Sequence, residues 1–269
     1  MILAEFAQSH LGDMKILKIM IREAAEAGAW GCKIQSFFAD DLADNWRKES
    51  YDRLKGLELT WDEQTEFVSL CKERGLVPVT SVYTSQYLEK VQKAGFEHVK
   101  IGSAQNQNSD LISDYTAAGF KVMISTGGID LVDLKQEVFH TVFHCVSQYP
   151  TNPWEADLSS ILLIKKNFPS AYAGLSSHID PTHPHWRDPL FASYAFGARM
   201  LEVHFTSIDR SRTKDGKVSL DLGQLKELVA FDKCPDNARH ELWPQYGMYR
   251  MPKTDNEKNL IEYYRGRWK

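Results

Sequence analysis

Two histidines close two consecutive apolar runs late in the chain: His178 in AYAGLSSHID (171–180) and His204 in RMLEVHFTSID (199–209). Each run reads as a buried strand. Imidazoles leaving the same edge of neighbouring parallel strands can meet on one metal ion, and imidazole suits Mn, Fe, Zn and similar ions. Either histidine alone reads as a satisfied core or loop residue; the pair is what points to a metal. Two lysines, Lys33 and Lys100, lie inside the apolar runs GCKIQSF (31–37) and HVKIGSA (98–104). A lysine there is costly unless an anion pairs with it. Ser81, Ser103, Ser125, Ser147 and Ser176 and the Gly127-Gly128 turn add hydroxyl and backbone N–H donors. Lysines with such donors cradle phosphate or carboxylate. A metal beside an anion pocket describes an electrophile polarised next to a phosphorylated partner. His98 and His144 have no comparable context and read as structural.

These residues need a scaffold that brings strand ends together. Short apolar runs at 2–6, 31–37, 76–82, 98–104, 121–128, 140–147, 171–177 and 200–205 alternate with amphipathic or polar-capped stretches. The spacing predicts helices over 13–28, 59–75, 84–95, 109–119, 129–138, 157–168, 189–197 and 221–233, with a polar excursion between 38 and 58. Eight strand–helix units predict an α/β fold, a (β/α)8 TIM barrel over residues 1–233, followed by a short aromatic C-terminal extension over 234–269. An open doubly wound sheet would want a GxGxxG fingerprint after the first strand, and HLGDM is not one. A barrel of this kind builds its site at the C-terminal strand ends. Those ends present Glu5, then Lys33 and Gln35, Ser81, Lys100 with Ser103 and Gln105, Ser125, Ser147 with Tyr149, Ser176 to His178, and finally Glu202 and His204.

Composition removes several classes. The formal charge of -4 gives no argument for nucleic acid or a membrane surface, so an anionic ligand needs a local cluster of cations. The four cysteines are scattered, with no CxxC pair, and read as small core residues in a reduced, cytoplasmic compartment. No apolar run approaches the roughly 20 residues of a membrane helix, and the first residues already read as a strand rather than a leader.

With these motifs in order, a resemblance emerges. AEFAQSHLGD (4–13), KIQSF (33–37), KIGSA (100–104), STGG (125–128), HCVSQYPT (144–151), GLSSHID (174–180) and EVHFTSIDR (202–210) resemble the sialic acid (N-acetylneuraminate) synthase family. The resemblance covers the barrel, not the small antifreeze-like domain that bacterial members carry after it; residues 248–269 look like the start of the linker. It implies condensation of phosphoenolpyruvate with an aldose, N-acetylmannosamine-like or related, to a 2-keto-3-deoxy sugar acid and phosphate. It implies a divalent metal, Mn or Mg, held by His178 and His204. Lys33, Ser81, Lys100, Ser103, Ser125, Ser147 and Ser176 match phosphoenolpyruvate-binding positions. Gln35 and Tyr149 fall near the sugar, and Glu5, Gln105 and Asp215 at catalytic positions. A homodimer with no nucleic-acid or membrane partner is expected. Two departures stand out: Gln105 where the family has an acid, and Ser177 where an aspartate precedes the metal histidine. Two other readings remain open. One is a keto-deoxy sugar phosphate synthase of the neighbouring class, using Arg187, Arg210 and Arg212. The other is an inactive barrel serving as a binding partner.

Overall fold

The computed structural model describes residues 1–134, 138–234, 255–265 and 267–268. The strands are β1 (Ile2–Glu5), β2 (Gly31–Gln35), β3 (Val77–Ser81), β4 (His98–Ile101), β5 (Lys121–Ser125), β6 (Thr141–Cys145), β7 (Tyr172–Ser177) and β8 (Met200–His204). Each pairs in parallel with the next, and β8 returns to β1, so the sheet closes into a barrel. The chain is therefore the expected (β/α)8 barrel. The outer helices are α1 (Met14–Ala27), α3 (Trp61–Glu73), α4 (Leu88–Lys93), α5 (Ser109–Ala117), α6 (Ser159–Asn167), α7 (Arg187–Ser193) and α8 (Leu222–Asp232). Their limits follow from local chemistry. The Asp13 side chain accepts from Lys15 N at the start of α1, and Gly28, at φ 79°, ends it in the left-handed region. Thr60 with Glu63 and Asp221 with Gln224 form capping boxes for α3 and α8.

Two apolar layers result. One lies between strands and helices. The other fills the barrel itself, where Leu3, Val79, Met123, Phe143 and Met200 form an apolar floor. Side chains along a strand alternate between faces, so the inward residue two steps further on belongs to the next layer. Those residues are Glu5, Ser81, Ser125, Cys145 and Glu202. A hydrocarbon floor and a polar ring above it are thus one consequence of strand parity.

Several expectations need correction. The polar excursion holds a further helix, α2 (Asp44–Lys55). Its Trp46 and Leu54 pack with Phe37, Ala39 and Leu42 in a satellite cluster. The helix expected over 129–138 falls partly on 135–137, outside the described residues; its described part holds a 3-10 turn at Leu131–Asp133. The helix expected over 84–95 is a 3-10 turn leading into the six-residue α4, and that over 189–197 begins earlier, at Arg187. Of the aromatic extension, 235–254 lie outside the described residues. The remainder forms α9 (Asp255–Tyr264), which lies over the barrel mouth, and Trp268, which bridges antiparallel to Leu42. Among the described residues no helix is long and apolar enough to cross a membrane.

The floor is packed around a glycine. A Cβ on Gly174 would stand 2.6 Å from Phe143 Cδ1 and 2.8 Å from Met200 O. Gly174→Ala is expected to cost about 2 kcal/mol in urea unfolding by forcing this close packing apart. Adding Phe143→Leu should recover part of that loss, because it relieves the ring contact and leaves the carbonyl contact.

Candidate active site

The C-terminal ends of the strands surround a cavity of about 440 Å³. All fourteen residues singled out from the sequence line it: Glu5, Lys33, Gln35, Ser81, Lys100, Ser103, Gln105, Ser125, Ser147, Tyr149, Ser176, His178, His204 and Asp215. Most come from inward positions of the strands or the residues just beyond them. The backbone at Gly127 runs so close to this wall that a Cβ there would meet the hydroxyls of Ser147 and Ser103 at 2.1 and 2.6 Å. Any larger residue would displace the serines.

A buried charge network forms the base of the cavity. Lys33 contacts Glu5 directly, and its Nζ donates to Ser81 Oγ at 2.8 Å. Lys100 Nζ donates to Glu202 Oε1 at 2.5 Å, and Ser176 Oγ donates to the same oxygen at 2.9 Å. Glu202 Oε2 stands 3.9 Å from Lys33 Nζ, too far for a hydrogen bond, and has no hydrogen-bond partner. Burial alone would raise the Glu202 carboxyl, but Lys100 and then Lys33 overcome it and hold the group at about 2. The network explains why two strand lysines are tolerated: each has a carboxylate partner within the barrel.

The two imidazoles lie side by side, ring centres 5.5 Å apart. His178 Nδ1 donates to Val146 O at 2.8 Å, so in the neutral ring the lone pair is on Nε2. His204 Nδ1 is buried with no hydrogen-bond partner. Burial, with His178 adjacent, pushes His204 well below the ordinary histidine range and keeps it neutral. Burial lowers His178, but Cys145 and the Val146 carbonyl outweigh it and raise the group, so a metal held by the two rings would take the place of a proton there. Among the described residues no third histidine, cysteine or acid completes a ready-made cluster. The residues fit a metal held by two protein ligands. The Tyr149 ring stacks on His178 at 3.9 Å.

Other residues behave differently from expectation. Ser177 faces away from the cavity, as the parity of Ser176 requires, so its replacement of an aspartate leaves the cavity wall unchanged. Arg187 pairs with Glu227 and Arg210 with Asp221, and neither they nor Arg212 line the cavity. Cys145, read as a core residue, lies on the cavity wall, 3.9 Å from His178 Nδ1. His144 and His98 are structural as read: His144 Nε2 contacts Ala156 O at 2.7 Å, and His98 packs against Trp30 and His140.

Sequence reasoning missed three contributions. Glu202 was visible at its strand end, but its partners were not. Glu257 of α9 is buried and accepts from Gly128 N at 3.1 Å and Ser147 N at 3.3 Å. Arg267 and Trp268 line the mouth from beyond α9. No motif marks these tail residues, because their position depends on how the segment returns to the barrel.

Known proteins share this fold and parts of this sequence. Residues 20–234 match the NeuB family. The chain is 28% identical over 249 residues to the N-acetylneuraminate-9-phosphate synthase of Mus musculus, spanning 85% of this chain and 68% of that protein. It is 25% identical over 258 residues to the N,N'-diacetyllegionaminic acid synthase of Legionella pneumophila, spanning 85% and 70%. Among solved structures, the N-acetylneuraminic acid synthetase of Leptospira borgpetersenii, in complex with citrate, superimposes with a TM-score of 0.79 at 25% identity, covering 97% of this chain and 90% of that one. A truncated 3-deoxy-D-arabino-heptulosonate 7-phosphate synthase of Thermotoga maritima shares the fold, with a TM-score of 0.64 at 17% identity.

The Glu202 network sets a pH dependence. Its carboxyl moves from 4.5 to about 2 on folding, so its stabilising contribution is complete above about 4.5 and is lost as pH falls through 2. Glu202→Gln should lower stability at pH 7 by roughly 3 kcal/mol, leaving Lys100 without its carboxylate. The same variant should show a shallower loss of stability between pH 4.5 and 2 in urea titrations at stepped pH.

Proposed function

The chain belongs to the NeuB family, and on that premise we propose that it is a phosphoenolpyruvate-dependent sugar-acid synthase. The reaction joins C3 of the enol to the aldehyde carbon of an aldose. Water then adds at C2, and the adduct loses phosphate by C–O cleavage, leaving a 2-keto-3-deoxy sugar acid. One observation carries this reading: two buried lysines, five serines and two buried histidines, separate in sequence, share one cavity wall.

Each group has a task in that chemistry. Lys33 and Lys100, with Ser81, Ser103, Ser125, Ser147 and Ser176, bind the carboxylate and phosphate of phosphoenolpyruvate. Glu5 and Glu202 hold the lysine ammoniums in place while the cavity is empty, and the substrate's negative charge shares those ammoniums once bound. His178 and His204 would hold a divalent cation, Mn or Mg, whose chemistry here is polarisation of the aldehyde oxygen. Tyr149 walls the aldose against His178, and Gln35 offers it an amide.

Proton handling falls to Asp215 rather than Glu5. Glu5 is engaged by Lys33 and by Ala7 N. The Asp215 carboxyl is raised by burial, the direction that favours a group able to carry a proton. Gln105 accepts from Asn108 Nδ2 at 3.1 Å, which orients its amide N–H groups as donors to substrate or water. Its place in the wall is that of a positioning group, since an amide takes up no proton.

Of the arginines expected for a sugar phosphate synthase of the neighbouring class, Arg187 and Arg210 pair with Glu227 and Asp221 and Arg212 does not line the cavity, so those three supply no sugar-phosphate site.

The full chain, given phosphoenolpyruvate, Mn and a panel of aldoses with N-acetylmannosamine among them, should release phosphate only when an aldose is present. In ¹⁸O-labelled water that phosphate should carry no label, as C–O cleavage requires. Absence of aldose-dependent release across the panel would sink the synthase reading and favour an inactive barrel. His178→Ala and His204→Ala should each lower turnover by about 100-fold or more and remove its response to added Mn, with the far-ultraviolet circular dichroism unchanged. Full activity of either variant in chelator-treated buffer would refute the metal assignment.

A further inference from the structure

Arg267 has no task in the reaction as described, yet its environment is unusual. Its main chain is tied to the α2 region, where Ala43 N donates to Arg267 O at 3.2 Å. Its guanidinium carbon lies 5.0 Å from the ring centre of Trp46, 5.3 Å from that of Tyr264 and 5.5 Å from that of Trp268. The residue is only 9% exposed, and its Nε and Nη2 have no hydrogen-bond partner. Among the described residues no carboxylate pairs with it. A guanidinium stays charged at any pH the fold survives. Aromatic faces offset part of the cost of burying it, but a packing role alone would be served as well by an uncharged side chain.

Charge is also unevenly distributed along the cavity. At its base, Lys33 and Lys100 are matched by Glu5 and Glu202. Toward the mouth, Arg267 and Lys214 both line the wall. Lys214 Nζ donates to Tyr264 OH at 2.7 Å. Arg53, held by Gln8 at 2.7 Å, acts electrostatically on both Arg267 and Asp215. Lys214 and Arg53 act on Asp215, and with Arg267 the cations toward the mouth outnumber that carboxylate.

We propose that Arg267 binds an anionic group, a phosphate monoester or a carboxylate, carried by the acceptor aldose at the end remote from its aldehyde. The inference rests on the synthase reading for the word acceptor. An aldehyde beside His178 and His204 leaves the far end of an open-chain sugar at the mouth, where the chain's own C-terminal segment supplies the guanidinium. The charge-assisted pair is bidentate in character, so lysine replaces it incompletely.

The test uses the full chain with three matched acceptors: N-acetylmannosamine, its 6-phosphate, and N-acetylmannosaminuronate. The expected result is a kcat/KM for one of the two anionic acceptors at least tenfold above that for the neutral sugar. Arg267→Met should reduce that anionic preference by about 10- to 100-fold, through the KM for the acceptor and not through the KM for phosphoenolpyruvate. Arg267→Lys, which keeps the charge, should retain part of the preference, and this guards against a variant that merely loosens the tail. Which of the two anions is preferred identifies the group. Equal use of neutral and anionic acceptors, or a rise confined to the KM for phosphoenolpyruvate, would overturn the proposal. Titration calorimetry with the same three sugars separates the two readings. If the chain turns over none of them but binds an anionic one in a manner lost in Arg267→Met, the subsite stands and the synthase reading fails. If it binds none of them and turns over none, both fail.

Discussion

The barrel depends on a balance struck inside its own wall: two ammonium groups and two carboxylates sealed above an apolar floor. Lys33 and Lys100 come from β2 and β4, while Glu5 and Glu202 come from β1 and β8, which are neighbours in the closed sheet. An open sheet would leave β1 and β8 at opposite edges, and Glu202 would not reach Lys100. Closure therefore makes the lysines affordable, and the ion pairs in turn fill the space that closure creates. The serines are set by the same ring. Ser81 and Ser176 accept from or donate to its members and are thereby oriented toward the cavity.

Beyond the ring, the cavity has two electrical characters. The base is neutral in sum but densely polar, so any anion bound there would have to share Lys33 and Lys100 with Glu5 and Glu202. The mouth is covered by a segment far away in sequence. Glu257 lies on backbone N–H groups of the β5 and β6 loops, and Trp268 on the rings of Phe37 and Tyr83, beyond β2 and β3, across from them. The segment thus spans the opening from one side to the other, and it brings Arg267 with it. On the proposed synthase reading, a site whose chemistry is built by strands and whose far wall is built by the tail can change its sugar without changing its reaction.

Much of this was legible in the residues. Eight apolar runs separated by helical stretches describe the barrel, because each strand buried on both faces is nearly all apolar and α1, α3 and α8 announce their ends with Asp13, Gly28, Thr60 and Asp221. The fourteen candidate residues could be collected because barrel strands all point the same way, so their C-terminal ends must form one face. Where local signals were weak, the reading failed. Helix α2 is polar along most of its length and is held by a satellite cluster of distant residues, so periodicity did not expose it.

The chain by itself determined the fold class, the face on which a site must lie and the residue types available there, since those follow from local periodicity and strand direction. Tertiary structure decided which of those residues act together. Ser176 and Ser177 are adjacent and chemically alike, yet only the closed sheet turns one inward and the other out. Glu202 gains its meaning from Lys100, 102 residues away, and Arg267 from a return of the chain to Ala43. Such pairings depend on the sum of many weak contacts over the whole barrel, and no window of sequence contains that sum.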